Sequence, residues 1–107
     1  RNKHGMTDTI LYHKWCGMKY RCFNPDGEHY DRYGGRGIKV CEEWHEYALF
    51  RKWAYANGYY EQDANTPRRD KLSIDRINPD GNYEPGNCRW ITVSENASRR
   101  NLHANQR

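Results

Sequence analysis

Apolar residues recur at helical spacing in the first part of the chain, where Leu11, Trp15, Met18 and Cys22 share one face and Thr7 or Asp8 stands at an N-cap position. The turn residues Asn24-Pro25-Asp26-Gly27 end that helix. A glycine-rich bend from Tyr30 to Gly37 leads into a short β-like run, Ile38 to Cys41. A second helix is predicted from about Glu42 to Asn57, with Trp44, Tyr47, Phe50, Trp53 and Ala54 turned inward and Gly58 as its stop. Residues Gln62 to Asp70 read as a polar loop. The period then changes to two: Leu72, Ile74 and Arg76 alternate with Ser73, Asp75 and Ile77. A loop dense in turn residues, Asn78 to Gly86, separates this strand from a second at Cys88 to Thr92. Thr92-Val93-Ser94-Glu95 matches a capping box, so a helix is expected from there to about Asn101. The elements predict one small α+β domain over residues 1–107, with two helices ahead of a strand, loop, strand, helix unit at about 71–101.

Composition sharpens this picture. The mean hydropathy of −1.30 is very polar, yet 4 Trp, 9 Tyr and 2 Phe concentrate burial in a few large side chains, which argues against disorder. No run of 18 apolar residues and no charged-then-apolar leader is visible, so a soluble, intracellular protein without a membrane partner is expected. The net charge of +4 is unevenly spread. Residues 1–21 carry five Lys/Arg against one acid and residues 89–107 carry four against one, while 22–60 sum to −1 and 61–88 to −2. Basic ends around an acid-containing middle suit phosphate binding, although a solvated basic surface explains the same charges.

The chemistry-bearing residues gather in the last third. One-metal phosphodiester hydrolysis needs oxygen ligands, a base and positive charge near the phosphate. Asp75 offers an anionic oxygen on the first strand and Asn96 a neutral one on the following helix, with Arg99 and Arg100 beside it for phosphate. The bland alternative is a strand Asp and a helix-start Asn that only serve the backbone.

The stretch from Leu72 to Thr92, followed by Ser94-Glu95-Asn96, resembles the HNH motif of phage homing endonucleases. Tyr12-x-x-Trp15-x-x-Met18-x-x-Arg21-Cys22 and Tyr33-Gly34-Gly35-Arg36-Gly37-Ile38-x-Val40-Cys41-x-x-Trp44 extend the resemblance to small phage-encoded HNH-like proteins. It implies a ββα-metal core at about 71–101 and metal-dependent cleavage of double-stranded DNA, in the host cytoplasm if phage-encoded. Asp75 matches the acidic ligand of a Mg²⁺ or Mn²⁺ ion, Asn87 the central Asn that braces the loop, and Asn96 the final metal ligand. The motif's first His, its usual general base, is Arg76 here, and a guanidinium cannot accept a proton near neutral pH. Arg76 is therefore expected to clamp phosphate while a base comes from elsewhere, among His29, Tyr30, Tyr33 and His45. Tyr33 is favoured, because the adjacent glycines permit close backbone approach to DNA and Arg36 would bind phosphate. Arg89 is a further phosphate candidate, or else a partner in a salt bridge.

Relatives in that superfamily often carry a structural zinc, which suggests Cys22, Cys41 and Cys88 completed by His4 or another histidine. The simpler reading is buried, free cysteines, with Cys16 in the core. Two rival functions stay open: a DNA-binding module without catalysis, and a zinc-stapled protein-interaction domain. A homodimer is compatible with each.

Overall fold

The computed structural model describes residues 9–97. They form an α+β arrangement of helices and a two-stranded antiparallel sheet. Helix α1 spans Thr9–Phe23 and buries Leu11, Met18 and Cys22. Its predicted caps Thr7 and Asp8 lie outside the described residues.

The second helix is shorter than the spacing predicted. Helix α2 spans Tyr47–Ala56, while Glu42–His45 form a 3₁₀ turn and Glu46 is extended. A tertiary hydrogen bond accounts for the break: the Trp15 indole N–H donates to the Trp44 carbonyl at 2.7 Å, an acceptor that a continuous helix would use for itself. Trp44 stays buried, so the aromatic pattern is satisfied by a turn followed by a helix. Trp44 packs on Phe50 and Trp53, with ring centroids 5.1 and 4.7 Å away, and Trp90 joins from the sheet, 5.9 Å from Trp53 and 4.8 Å from Tyr59. Tyr59 is buried, whereas Tyr55 and Tyr60 stay exposed.

The β-like run from Ile38 to Cys41 is a single parallel bridge, Val40 with Tyr83. Lys39 and Cys41 exchange backbone hydrogen bonds of 2.9 Å with Tyr83, and the Asn82 Oδ1 accepts from the Lys39 N–H. The middle of the chain thereby ties down the hairpin loop. Gln62, in the segment expected to be a plain polar loop, is buried. Its amide donates to the Tyr59 hydroxyl, and its Oε1 accepts the Leu72 N–H, both at 2.9 Å.

Strands β1 (Leu72–Arg76) and β2 (Cys88–Thr92) pair with Asp75 opposite Arg89 and Ile74 opposite Trp90. Residues 93–97 are helical. The expected capping box is present: Glu95 N–H donates to the Thr92 hydroxyl at 3.0 Å, and the Glu95 carboxylate accepts the Thr92 N–H at 2.8 Å. No helix among the described residues is long and apolar enough to cross a membrane.

Candidate functional site

Asp75 sits near the end of β1 with 24% of its side chain exposed, and the Arg89 Nε–H donates to its Oδ2 at 2.9 Å. The pairing follows from register, because directly opposed residues of an antiparallel ladder point to the same face. Arg89, exposed by 44%, bonds Asp75 through its Nε and carries further N–H donors on the same guanidinium. It is a salt-bridge partner that can still meet a phosphate.

Strand alternation turns Arg76 to the face opposite Asp75. Its Nη1 donates to the carbonyls of Pro79 and, at 3.0 Å, Gly81. Its guanidinium carbon lies 5.2 Å from the ring centroids of both Tyr33 and Tyr83. Arg21 approaches Tyr33 to 5.1 Å, so Tyr33 lies close to two cations. Arg76 and Tyr33 thus belong together, within a cation–π cluster that supports the hairpin loop. The expected catalytic set is divided: the arginine holds backbone carbonyls, and Tyr33 is grouped with it rather than with Asp75.

Asn87 braces the loop as expected. Its Oδ1 accepts the Asn78 N–H at 2.9 Å, and its Nδ2 donates to the carbonyls of Asn78 and Asn82 at 3.1 and 2.9 Å. Gly81 makes room for this amide, since a Cβ there would stand 2.7 Å from the Asn87 Nδ2. These bonds occupy Asn87 with structure.

The glycine-rich bend also serves packing. A Cβ at Gly34 would come within 2.1 Å of the Cys22 carbonyl oxygen, and Gly37 has φ 90°, so the one must lie against α1 and the other must turn left-handed. Close approach to DNA is not needed to explain either glycine. Arg36 donates to Asp80 Oδ1 at 2.9 Å and to the Pro79 carbonyl at 3.3 Å, clipping the bend to the loop tip. Of the other candidate bases, His29 is exposed with φ 69°, Tyr30 is half-buried against Gly34, and exposed His45 packs on Phe23 with centroids 5.4 Å apart.

Cys22 and Cys88 are buried, while Cys41 and Cys16 are half-buried. Burial pushes the thiols of Cys22 and Cys41 up and that of Cys88 to about 12. Cys41 lies close enough to Cys88 to add to the rise of the Cys88 thiol. Among the described residues no three His, Cys, Asp or Glu side chains gather as a metal-holding group. His4, the suggested fourth zinc ligand, lies outside them.

A hard divalent ion makes a lighter demand, because magnesium keeps several waters and takes one or two carboxylates or other oxygens from protein. Asp75 is a partly buried carboxylate on β1, and Asn96 is exposed on the helical residues after β2. As oxygen donors they fit such an ion. Arg99 and Arg100 lie outside the described residues. Lys14 and Gln62 carried no sequence signal, because a lysine on an amphipathic helix reads as solvated and a glutamine in a polar segment as loop. Comparison with protein-family models, curated proteins and solved structures found no match.

Proposed function

We propose that the chain is a metal-dependent DNA endonuclease built on a ββα-metal unit, in which Asp75 and Asn96 hold a Mg²⁺ or Mn²⁺ ion against a phosphodiester of double-stranded DNA. The observation that carries this reading is the order β1, braced loop, β2, capped helix, with a partly buried carboxylate in the first strand and an oxygen-bearing amide on the helix. The resemblance of residues 72–96 to the HNH motif points the same way.

When bound, the ion would stabilise negative charge on the phosphate and the leaving 3′ oxygen. Asp75 supplies the anionic ligand, and the Arg89 guanidinium holds the orientation of that carboxylate while directing positive charge to the same face. Asn87 and Arg76 keep the loop closed, which fixes β1 against β2. Attack by water would leave a 5′ phosphate. The test is digestion of supercoiled plasmid with Mg²⁺, with Mn²⁺ and with EDTA. Cleavage should require metal and disappear in Asp75→Ala and Asn96→Ala while their far-UV spectra stay those of the wild type. Full activity in either variant refutes the ligand assignment.

One observation favours a second reading, a DNA-binding module without catalysis. The position after Asp75, where the HNH motif places its base, holds an arginine already bonded to loop carbonyls. On that reading the wild type binds DNA but leaves plasmid intact with every metal.

A further inference from the structure

Strand β1 has β2 on one side only. The bonds Val93 N–H to Lys71 O and Ile77 N–H to Asn87 O set the ladder, so Ser73 and Asp75 direct their backbone groups to β2 while Leu72, Ile74 and Arg76 direct theirs outward. Gln62 meets the Leu72 N–H on that outer edge. Further along, Ser73 and Ile74 border a cleft of about 200 Å³ whose other wall is α1, presenting His13, Lys14, Gly17 and Arg21. This is several times the roughly 30 Å³ share of a water molecule, room enough for a tetrahedral oxyanion.

The charges around the cleft have one sign. Burial, Arg21 and Lys71, in that order, all work against the Lys14 ammonium and lower its pKa. Among the described residues no carboxylate pairs with Lys14 or Arg21. The Arg21 guanidinium is held by the rings of Tyr33 and Tyr83 and by a 3.3 Å bond to the Tyr83 hydroxyl, and its Nε–H is buried without a hydrogen-bond partner. Gly17 lines the helix wall next to the Arg21 guanidinium, whose Nη1 would stand 3.4 Å from a Cβ there. The Lys14 cation, opposed by burial and by the neighbouring Arg21 on the same cleft wall, costs the fold stability. An anion in the cleft would relieve that opposition.

We propose that the cleft between α1 and the open edge of β1 is a phosphate-binding site, with Lys14 and Arg21 supplying charge and the Ser73 hydroxyl and Ile74 N–H supplying neutral donors. Ser73 lies two residues from Asp75 on the same strand face, about 7 Å away. Phosphates of one DNA strand advance about 3.4 Å along the axis per nucleotide. A phosphate in the cleft would then sit one or two nucleotides from the diester beside Asp75. The nucleic-acid source of the phosphate rests on the endonuclease reading; the site itself does not.

The test uses the full chain and its Lys14→Met and Lys14→Gln variants in EDTA, so that cleavage plays no part. Binding to a labelled DNA duplex is followed by fluorescence anisotropy over a salt series, and binding of inorganic phosphate by amide shifts in ¹H–¹⁵N spectra. Both variants should bind DNA at least about tenfold more weakly at low salt, as expected for the loss of one charge-assisted hydrogen bond. Their salt dependence should fall by about one phosphate contact. Phosphate-induced shifts at Gly17, Arg21, Ser73 and Ile74 should appear in the wild type and vanish in the variants. Removing a charge that burial opposes leaves the fold intact, which a thermal melt verifies. Loss of the phosphate shifts with unchanged DNA affinity would overturn the nucleic-acid source and leave a site for free phosphate. No change in either measurement overturns the site. A wild type that never cleaves, with DNA binding still lost in both variants, refutes the nuclease reading and leaves the site standing.

Discussion

One amide supplies three of the hydrogen bonds that brace the hairpin loop, and the consequence is measurable without any assumption about activity. Asn87 makes hydrogen bonds of 2.9, 3.1 and 2.9 Å to the Asn78 N–H, the Asn78 carbonyl and the Asn82 carbonyl. Each such bond contributes about 0.5–1.5 kcal/mol, so Asn87→Ala should cost about 2–3 kcal/mol in a loop that is partly open to water. Gly81→Ala should cost about 1–3 kcal/mol by a different route, because its Cβ would stand 2.7 Å from the Asn87 Nδ2 and push that amide off its carbonyls. The two effects share one atom. In the Asn87→Ala background the nearest remaining atom is the Asn78 carbonyl oxygen, at 3.4 Å an ordinary contact, and Gly81→Ala becomes neutral or stabilises by up to about 1 kcal/mol through the unfolded chain. Urea unfolding of the four proteins closes the cycle, with an expected coupling of about 2 kcal/mol. Additivity within about 0.5 kcal/mol would show that the amide and the glycine are independent, and the brace would be refuted.

Arg76→Ala should lower the unfolding midpoint in urea, since it frees the Pro79 and Gly81 carbonyls and unstacks the Tyr33 and Tyr83 rings; Arg76→Lys should restore little of it, because an ammonium cannot reproduce the fork. Unchanged stability in Arg76→Ala would detach Arg76 from the loop. Lys14 has a folded pKa below its ordinary 10.5, so its penalty on stability applies in full below the folded value and fades as pH rises through the window up to 10.5. Lys14→Met should therefore be more stable than wild type at pH 7 in phosphate-free buffer and lose that advantage by pH 10.5, and a pH-independent difference would contradict the assignment. The Cys88 thiol, pushed up to about 12 by burial, should resist iodoacetamide at pH 8 in the folded, metal-free chain and react on unfolding. Elemental analysis of the protein as purified addresses zinc directly: about one equivalent per chain would establish a site completed beyond the described residues, and its absence would leave Cys22, Cys41 and Cys88 as core.

Local patterns determined much of this protein. The helical spacing of Leu11, Trp15, Met18 and Cys22, the strand alternation around Ile74 and the Thr92–Glu95 capping box all involve residues within a turn or two of each other, so their energetics can be read from a short window. The position of Asp75 opposite the returning strand also follows from local register once the hairpin is recognised. What a window cannot contain was decided by tertiary contacts. Trp15 delays the start of a predicted helix by taking a carbonyl 29 residues away, and Val40 and Tyr83 bridge where a strand was expected. Gln62 caps the start of the outer edge of β1, at the Leu72 N–H, from a segment that reads as loop. The same reason governs the candidate site. Side chains adjacent in sequence, Asp75 and Arg76, are sent to opposite faces by the pleat, whereas Lys14 and Arg21, about half the chain away from Ser73, are drawn with it around one cleft because α1 lies beside the open edge of β1.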